Sequence, residues 1–439
     1  GAMPTGKQIA REIFERTLGS IDIPGVMGRK LYREGSRLVL PGAFLDFSTV
    51  NEVKVVAIGK AAHAMASGFL PLLPSHVSCR GVVAAPTSPA ASLRGLRYFQ
   101  AGHPLPDQYS WKAAEAILEL LQNSTEQTAI FFLLSGGGSA LVELPLDPTL
   151  GLSDVQDVHR ALVTCGAPID AMNTVRRHLS AVKGGRLATA AGRAKKITLA
   201  VTDVPAGKEA ALASGPSLPD PTTKRDVEEI VRNFGLREKF PPRVVKWIDA
   251  GHMPETPKPG DLAFEEAVFI LLLGLDDLFH AAHHATESHG YLTECDNATD
   301  DWPIQKAADY LLGRLDACQK EYPGQRIAII VDGEVSSPVT GNGIGGRNSA
   351  FVLHCAGKIA GRKITVMSAG TDGVDGNSPA AGAVADGETI VRAKALGLDA
   401  PEFFRRSDAF SFFDKLGDAI ITGPTGNNLR DLRVLLSEP

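Results

Sequence analysis

Val53-Lys-Val-Val-Ala-Ile58-Gly59-Lys60 is a short run rich in β-branched residues that stops at a glycine, and a helix-like stretch follows over residues 61–70. A mostly apolar run of this length suits a strand covered by helices on both faces. Similar runs occur at residues 81–85, 129–134, 197–201, 268–273, 327–331, 364–368 and 419–422, and helical patterns separate them. Such alternation is the signature of βαβ units and a largely parallel sheet, so the fold class is α/β.

The chain has 439 residues, too many for one ordinary core, and two α/β domains of roughly 200 residues each are expected. The segment 241–260, with Pro241, Pro242, Pro254, Pro257 and Pro259, has the composition of a connector. The expected division is therefore 1–240, a linker at 241–260, and 261–439. The formal net charge is −5 with no basic stripe, which argues against nucleic acid as the main partner. No window approaches the roughly 18 apolar residues of a membrane span. Gly1-Ala2-Met3 reads as a remnant of tag cleavage, and no secretory signal follows it, so a cytoplasmic location is expected. Cys79, Cys165, Cys295, Cys318 and Cys355 are scattered without metal-ligand spacing, as reduced thiols would be.

Nearly every expected strand ends in a polar or glycine-rich turn: Gly59-Lys60, Gly102-His103, Ser135-Gly136-Gly137-Gly138-Ser139, Thr202-Asp203, Asp332-Gly333-Glu334, Gly370-Thr371-Asp372 and Gly423 to Asn427-Asn428. In open α/β sheets, ligands bind outside the carboxyl ends of strands, where helix N-termini offer N–H donors. Together the turns point to a large polar cleft. A lysine opening a helix, as Lys60 does, is unfavourable unless an anion sits there; otherwise it is an exposed surface lysine. Ser135–Ser139 reads as a phosphate cradle or as an ordinary glycine turn, and it lacks the Gly-Lys-Ser/Thr of a nucleotide P-loop.

The densest chemical signal is Gly341-Asn-Gly343-Ile-Gly345-Gly346-Arg347-Asn348, followed by Gly370-Thr-Asp372-Gly-Val-Asp375-Gly. Glycines let a backbone approach an anion closely, Arg347 is able to clamp phosphate or carboxylate, and the carboxylates suit a cation or a proton. Gly341–Gly346 also matches the G-x-G-x-x-G of dinucleotide sites, with Asp372 where a ribose-binding acid would stand. Against that reading, the polar stretch 336–340 separates the strand from the glycines.

Two helices of the first half are legible in detail. Ser153 and Gln156 form a capping box for a helix with stripe Val155, Val158 and Leu162, ending near Gly166. The next begins near Pro168, with Ile169, Met172, Val175, Leu179 and Val182 buried. Beside that stripe run Asn173, Arg176, Ser180 and Lys183, either a solvated edge or part of a site. His280, His283, His284 and His289 lack the carboxylate of a zinc motif and read as a surface helix. His63, His76, His159, His252 and His354 read as structural, and His103 is a weaker site candidate.

Taken in order, these segments resemble the glycerate 2-kinase family, whose C-terminal half is the MOFRL domain. The matching stretches include Ala57-Ile-Gly-Lys60, Ala101 to Asp107, Leu134 to Ala140, Asn173 to Lys183, Ala213 to Thr223, Gly341 to Asn348, Ser368 to Gly376 and Gly417 to Asn427. The resemblance implies an N-terminal doubly wound Rossmann-like domain, a C-terminal MOFRL-type α/β domain and a catalytic cleft between them. It implies a magnesium-dependent kinase that phosphorylates the 2-hydroxyl of D-glycerate from ATP. The residues matching those associated with catalysis are Lys60, Arg347 and Asp372. Expected to bind nucleotide or substrate are Ser135, Gly136, Gly137, Gly138, Ser139, Asn173, Arg176, Lys183, Gly341, Gly343, Gly345, Gly346, Asn348 and Asn427. Asp203, Glu334 and Asp375 are the further carboxylates for Mg²⁺. Small-molecule partners are expected and a homodimer is left open. Some family members are labelled hydroxypyruvate reductases, which keeps an NAD(P)H-dependent reductase and an inactive metabolite binder as alternatives. The family usually carries Gly-Asp-Asp after the Asp203 turn, where this chain has Pro205-Ala-Gly207-Lys208-Glu209, and a Gly-Gly-Glu where it has Asp332-Gly333-Glu334.

Overall fold

The structure, a computed structural model, describes residues 2–102, 104–204, 207–427 and 429–439. His103, Pro205, Ala206 and Asn428, all raised above, lie outside the described residues. The chain divides into two units, one of residues 23–273 and one of residues 1–22 with 274–439. The first 22 residues, which hold helix α1 (Gly6–Ser20), therefore belong with the C-terminal half.

The unit 23–273 is built on six parallel strands, β1 (Glu52–Ile58), β2 (Ser78–Ala85), β3 (Leu96–Gln100), β4 (Thr128–Ser135), β5 (Lys195–Val201) and β6 (Val268–Leu273). Their order across the sheet is β3-β2-β1-β4-β5-β6. The chain winds outward from β1 to β3, then restarts at β4 and winds the other way. This is the doubly wound order, and its switch point lies between β1 and β4. β4 is buried at every residue, which explains its unbroken apolar sequence. Helices α2 (Ala62–Phe69) and α3 (Gln108–Leu121) follow β1 and β3. The Asp107 carboxylate accepts the N–H groups of Tyr109 and Ser110, and the Ser110 hydroxyl accepts that of Asp107, so α3 starts on a capping box.

Helix α4 (Leu152–Thr164) starts earlier than its expected box. Gly151 is the cap and the Asp154 side chain reaches back to its N–H at 2.9 Å, while Gln156 bonds the Pro106 carbonyl instead. In α5 (Ile169–Leu179) Val175 and Leu179 are buried as expected, but Ile169 is 54% exposed. The proline-rich segment is also different from the expectation. Pro242 opens a helix, Pro242–Asp249, that buries Val244 and Ile248 in the first unit's core. Proline is welcome at a first helical position, so here it starts structure rather than a linker.

The other unit carries β7 (Leu292–Asp296), β8 (Ile327–Asp332), β9 (Ile364–Gly370), β10 (Gly382–Asp386), β11 (Ala419–Ile420) and β12 (Asp431–Ser437). They lie in the order β7-β8-β12-β9-β10-β11, and only β7 and β8 are parallel. The expectation of a largely parallel sheet thus fails in this half, because β12 returns between β8 and β9 antiparallel to both. Helices cover both faces. α1 and α6 (Leu275–Glu287) share one core, in which Ile13 and Phe14 meet Met367 and Val434. Full burial of such side chains contributes about 1.5–3 kcal/mol each. α7 (Ile304–Glu321) and α8 (Arg347–Lys358) share the opposite core, through Leu311, Leu315, Phe351 and Val352. Among the described residues no helix is long and apolar enough to cross a membrane.

Candidate active site

In the first unit the turns after β1, β4 and β5 stand side by side at one end of the sheet, because those strands are neighbours. Gly59 has φ +133, and a Cβ there would sit 2.1 Å from the Ser135 hydroxyl, so only glycine fits. The Ser135 hydroxyl accepts the Ala61 N–H at 3.0 Å, and the Lys60 N–H donates to the Gly136 carbonyl at 2.9 Å. These bonds lock the two turns together. Gly137 has φ +77, and a Cβ on it would meet the Lys60 side chain at 3.0 Å, so the lysine stem lies along the glycine turn. Among the described residues, the N–H groups of Gly137, Gly138 and Ser139 have no hydrogen-bond acceptor. A half-buried ammonium beside unused amides at a switch point is suited to bind an anion. Asp203, half-buried, follows β5 at the same end. Lys208, the basic residue of the Pro205–Glu209 departure, turns to Asp170 at 2.9 Å in an exposed ion pair.

The polar line on α5 has a different use from the one expected. Lys183, 1% exposed, reaches the Glu143 carboxylate at 2.9 Å and the Val142 carbonyl at 3.0 Å. Glu143 also accepts the Ser180 hydroxyl at 2.6 Å and lies 3.2 Å from His159 Nε2. Burial alone would push the Glu143 carboxyl up, but Lys183, His159 and Ser180 outweigh it and bring it down to about 2. Lys183 is therefore committed to a buried ion pair and is not a grip on substrate. Arg176 donates to the Asn173 side chain at 3.2 Å, and both lie beside the same carboxylate network. Glu143 carries no sequence signal beyond an acid inside an apolar run, and it was missed.

In the second unit the glycine segment is held by neighbouring loops. The N–H of Gly343 donates to the Arg406 carbonyl (3.0 Å), that of Ile344 to the Asp408 carboxylate (2.9 Å) and that of Gly345 to the Asn377 side chain (2.9 Å). A Cβ on Gly341, Gly343 or Gly346 would lie 2.6 Å from the Arg406 carbonyl oxygen, 2.4 Å from Asp408 Cβ and 2.3 Å from Asp375 Oδ1. The glycines are needed for these close approaches rather than for a phosphate cradle. The helix start is filled as well. Asp375, 1% exposed, accepts the N–H groups of Asn348 and Ser349 at 2.9 Å each, together with the Ser349 hydroxyl. A carboxylate from another segment thus occupies the place an anionic ligand takes at a helix N-terminus. The Asn348 side chain bonds Ser368.

Arg347 is the first residue of α8. Its Nε donates to Asp431 Oδ2 at 2.6 Å, and Nη2 lies 2.8 Å from Glu334 Oε1. Burial works against its charge, but Asp431, Glu334 and Asp375 overcome that and raise its pKa. Asp431 opens β12 and pairs in register with Gly370 of β9. A Cβ on Gly370 would sit 3.0 Å from Asp372 Oδ1 and 3.4 Å from Asp431 Oδ1, so Asp372 and the Arg347–Asp431 pair share one end of the sheet. Asp372 Oδ1 also accepts the Val374 N–H. Below them Arg433, 1% exposed, donates to the Asp332 main-chain carbonyl at 3.0 Å, and burial lowers its pKa to about 10. Asp431 and Arg433 were missed, since a charged pair flanking a leucine does not read as the start of a buried strand. Asn427 is buried and its amide holds the Ile21 carbonyl at 2.6 Å, a structural tie rather than a ligand contact.

The expected cation set does not fit a resident metal. Asp375 has both oxygens engaged by the start of α8, and Glu334 is paired with Arg347. Among the described residues no three His, Cys, Asp or Glu side chains converge on one point, the α6 histidines included.

The geometry thus gives an α/β chain with an anion-ready turn in one unit and an arginine held among carboxylates in the other. Residues 9–249 match a family described as a domain of unknown function (DUF4147), and residues 327–431 match the MOFRL family. The chain belongs to the glycerate 2-kinase family. It is 34% identical over 387 residues to D-glycerate 2-kinase of Thermotoga maritima, spanning 87% of this chain and 90% of that one. A relative from Agrobacterium vitis, provisionally named hydroxypyruvate reductase, is 33% identical over 98% of this chain and 94% of its own length. The crystal structure of glycerate kinase from T. maritima aligns with a TM-score of 0.85 at 32% identity, covering 98% of this chain and 99% of that chain.

Proposed function

We propose that this protein is a glycerate 2-kinase, transferring the terminal phosphoryl group of ATP to the 2-hydroxyl of D-glycerate in the cytoplasm. The observation that carries the reading is Lys60 laid along a turn whose Gly137, Gly138 and Ser139 amides are unused. Phosphoryl transfer needs little covalent help from a protein and depends on positioning and charge neutralisation. Lys60 and those amides would receive phosphate oxygens. Arg347 would offset charge on the transferring group, and Asp372 would accept the hydroxyl proton. Magnesium would arrive with the nucleotide, whose phosphates supply most of its ligands, and no step is assigned to it through Asp203, Glu334 or Asp375.

The reductase names among the relatives rest on a different chemistry, and the G-x-G-x-x-G match is its sequence support. Here the amides of Gly343, Ile344 and Gly345 are bonded within the protein and Asp375 fills the helix start, which disfavours a pyrophosphate at that place. The deciding experiment is ADP release over a panel of C3 to C6 hydroxy acids, with and without magnesium, beside hydroxypyruvate with NADH or NADPH. Release that depends on D-glycerate and magnesium is expected. Nicotinamide oxidation without an ATP requirement would replace the kinase reading with the reductase.

A further inference from the structure

Arg347 has two carboxylate partners of unequal character. Asp431 is 5% exposed, fixed at the first residue of a central strand, and accepts from both Nε (2.6 Å) and Nη2 (3.3 Å) of the guanidinium. Glu334 is 37% exposed, stands in the turn after β8 and lies 2.8 Å from Nη2. A cavity of about 380 Å³ is lined by Ser336, Thr340, Gly345, Gly346 and Arg347 among others, at the start of α8. A buried carboxylate on a strand has nowhere else to go, whereas a half-exposed glutamate regains water when it leaves, so its pairing is weakly held.

We infer that Glu334 is the ground-state counter-ion of Arg347, displaced when an oxyanion of the substrates enters the adjoining cavity, while Asp431 is the permanent positioning residue that keeps the arginine in place. The inference rests on the reading of Arg347 as the group that meets substrate charge. It explains how an arginine that needs an anion stays ordered before one arrives. Glu334 competes with the ligand, so removing its charge strengthens oxyanion binding. Removing that of Asp431 leaves the arginine unanchored and slows turnover. The oxyanion has two sources, the phosphates of the nucleotide and the carboxylate of the hydroxy acid.

The test compares the full-length protein with Glu334→Gln and Asp431→Asn by calorimetric binding of inorganic tripolyphosphate and, separately, of D-glycerate. Glu334→Gln is expected to bind one of the two roughly two- to fivefold more tightly, the scale of an exposed ion pair. Which of the two gains identifies the source. Asp431→Asn is expected to lower kcat about tenfold or more with KM little changed, since only the orientation of a transition-state donor is lost. Equal or weaker binding of both ligands by Glu334→Gln overturns the counter-ion role, and unchanged kcat in Asp431→Asn overturns the positioning role. If the wild-type protein released no ADP with any acid, the kinase reading would fail, yet the binding comparison would still decide the role of Glu334. If Arg347→Ala kept normal turnover, the role of Arg347 would fall irrespective of its partners.

Discussion

The Asp375 carboxylate lies 2.9 Å from the Ser349 amide, although 25 residues of helix and strand separate the two in the chain. It closes the first turn of α8 from outside and so fixes the direction in which Arg347 leaves the backbone. Gly346 makes this approach feasible, because a side chain there would collide with Asp375.

Gly346→Ala is therefore expected to cost about 1–3 kcal/mol, the scale of forced overpacking, and to lower turnover as the start of α8 shifts. Gly28→Ala is the control: it lies in the helix Ile23–Lys30, and nothing stands within 4 Å of the added methyl group. That variant should be neutral or stabilised by about 0.4–1 kcal/mol in urea denaturation.

Arg347→Ala should reduce turnover by about 10²–10³, the usual consequence of losing a preorganised donor. It also leaves buried Asp431 without its closest cation, so a stability loss of about 1–3 kcal/mol is expected with the far-UV spectrum retained. Steady-state ADP release together with a thermal melt measures both.

Lys60→Ala separates activity from folding more cleanly. Its side chain lies over Gly137 at the open end of the sheet, so stability should change by no more than about 0.5 kcal/mol. Turnover should fall by about 10² or more. Normal turnover in a folded Lys60→Ala protein would remove the lysine from the mechanism.

Lys183→Met would strand the Glu143 carboxylate in the core, at a cost of about 3–5 kcal/mol, whereas adding Glu143→Leu to it should recover most of the loss. A substrate-binding lysine would instead change KM with little effect on the unfolding midpoint.

The same carboxylate gives a pH dependence. Its folded pKa, about 2, lies below the usual value near 4.5, so the stability it contributes is present above that usual value and is lost as pH falls from about 4.5 to 2. The loss should reach roughly 3 kcal/mol over that window. Urea midpoints against pH for the wild type and Glu143→Gln should converge at the acid end.

Much of the first unit's sheet was legible because its central strands are buried and mostly apolar, unbroken at 129–134 and interrupted at 53–58 by Lys54. The misses were β3, whose Arg97 and Gln100 mark an edge strand, and a separate antiparallel sheet of three short strands, Tyr32–Glu34, Arg37–Leu40 and Ala43–Asp46. In the second unit β12 was overlooked, since its first residues are charged yet buried, Asp431 against Arg347 and Arg433 against the Asp332 carbonyl. The polar turns did reveal which ends of the strands gather reactive groups. Sequence does not tell a free amide from a satisfied one, which is why Gly341–Gly346 read as a cradle and Ser135–Ser139 as only one candidate among several. Lys183 illustrates the same limit, for its partner Glu143 lies 40 residues away.

The position of β12 between β8 and β9 has a consequence for how the protein is made. Two neighbouring ladders of that sheet stay unpaired until a segment emerging some sixty residues after β9 threads between them. A ribosome will therefore have released a finished Rossmann-like half while its companion still exposes sticky strand edges. Until that last strand joins, the edges of β8 and β9 are open to pairing with other chains.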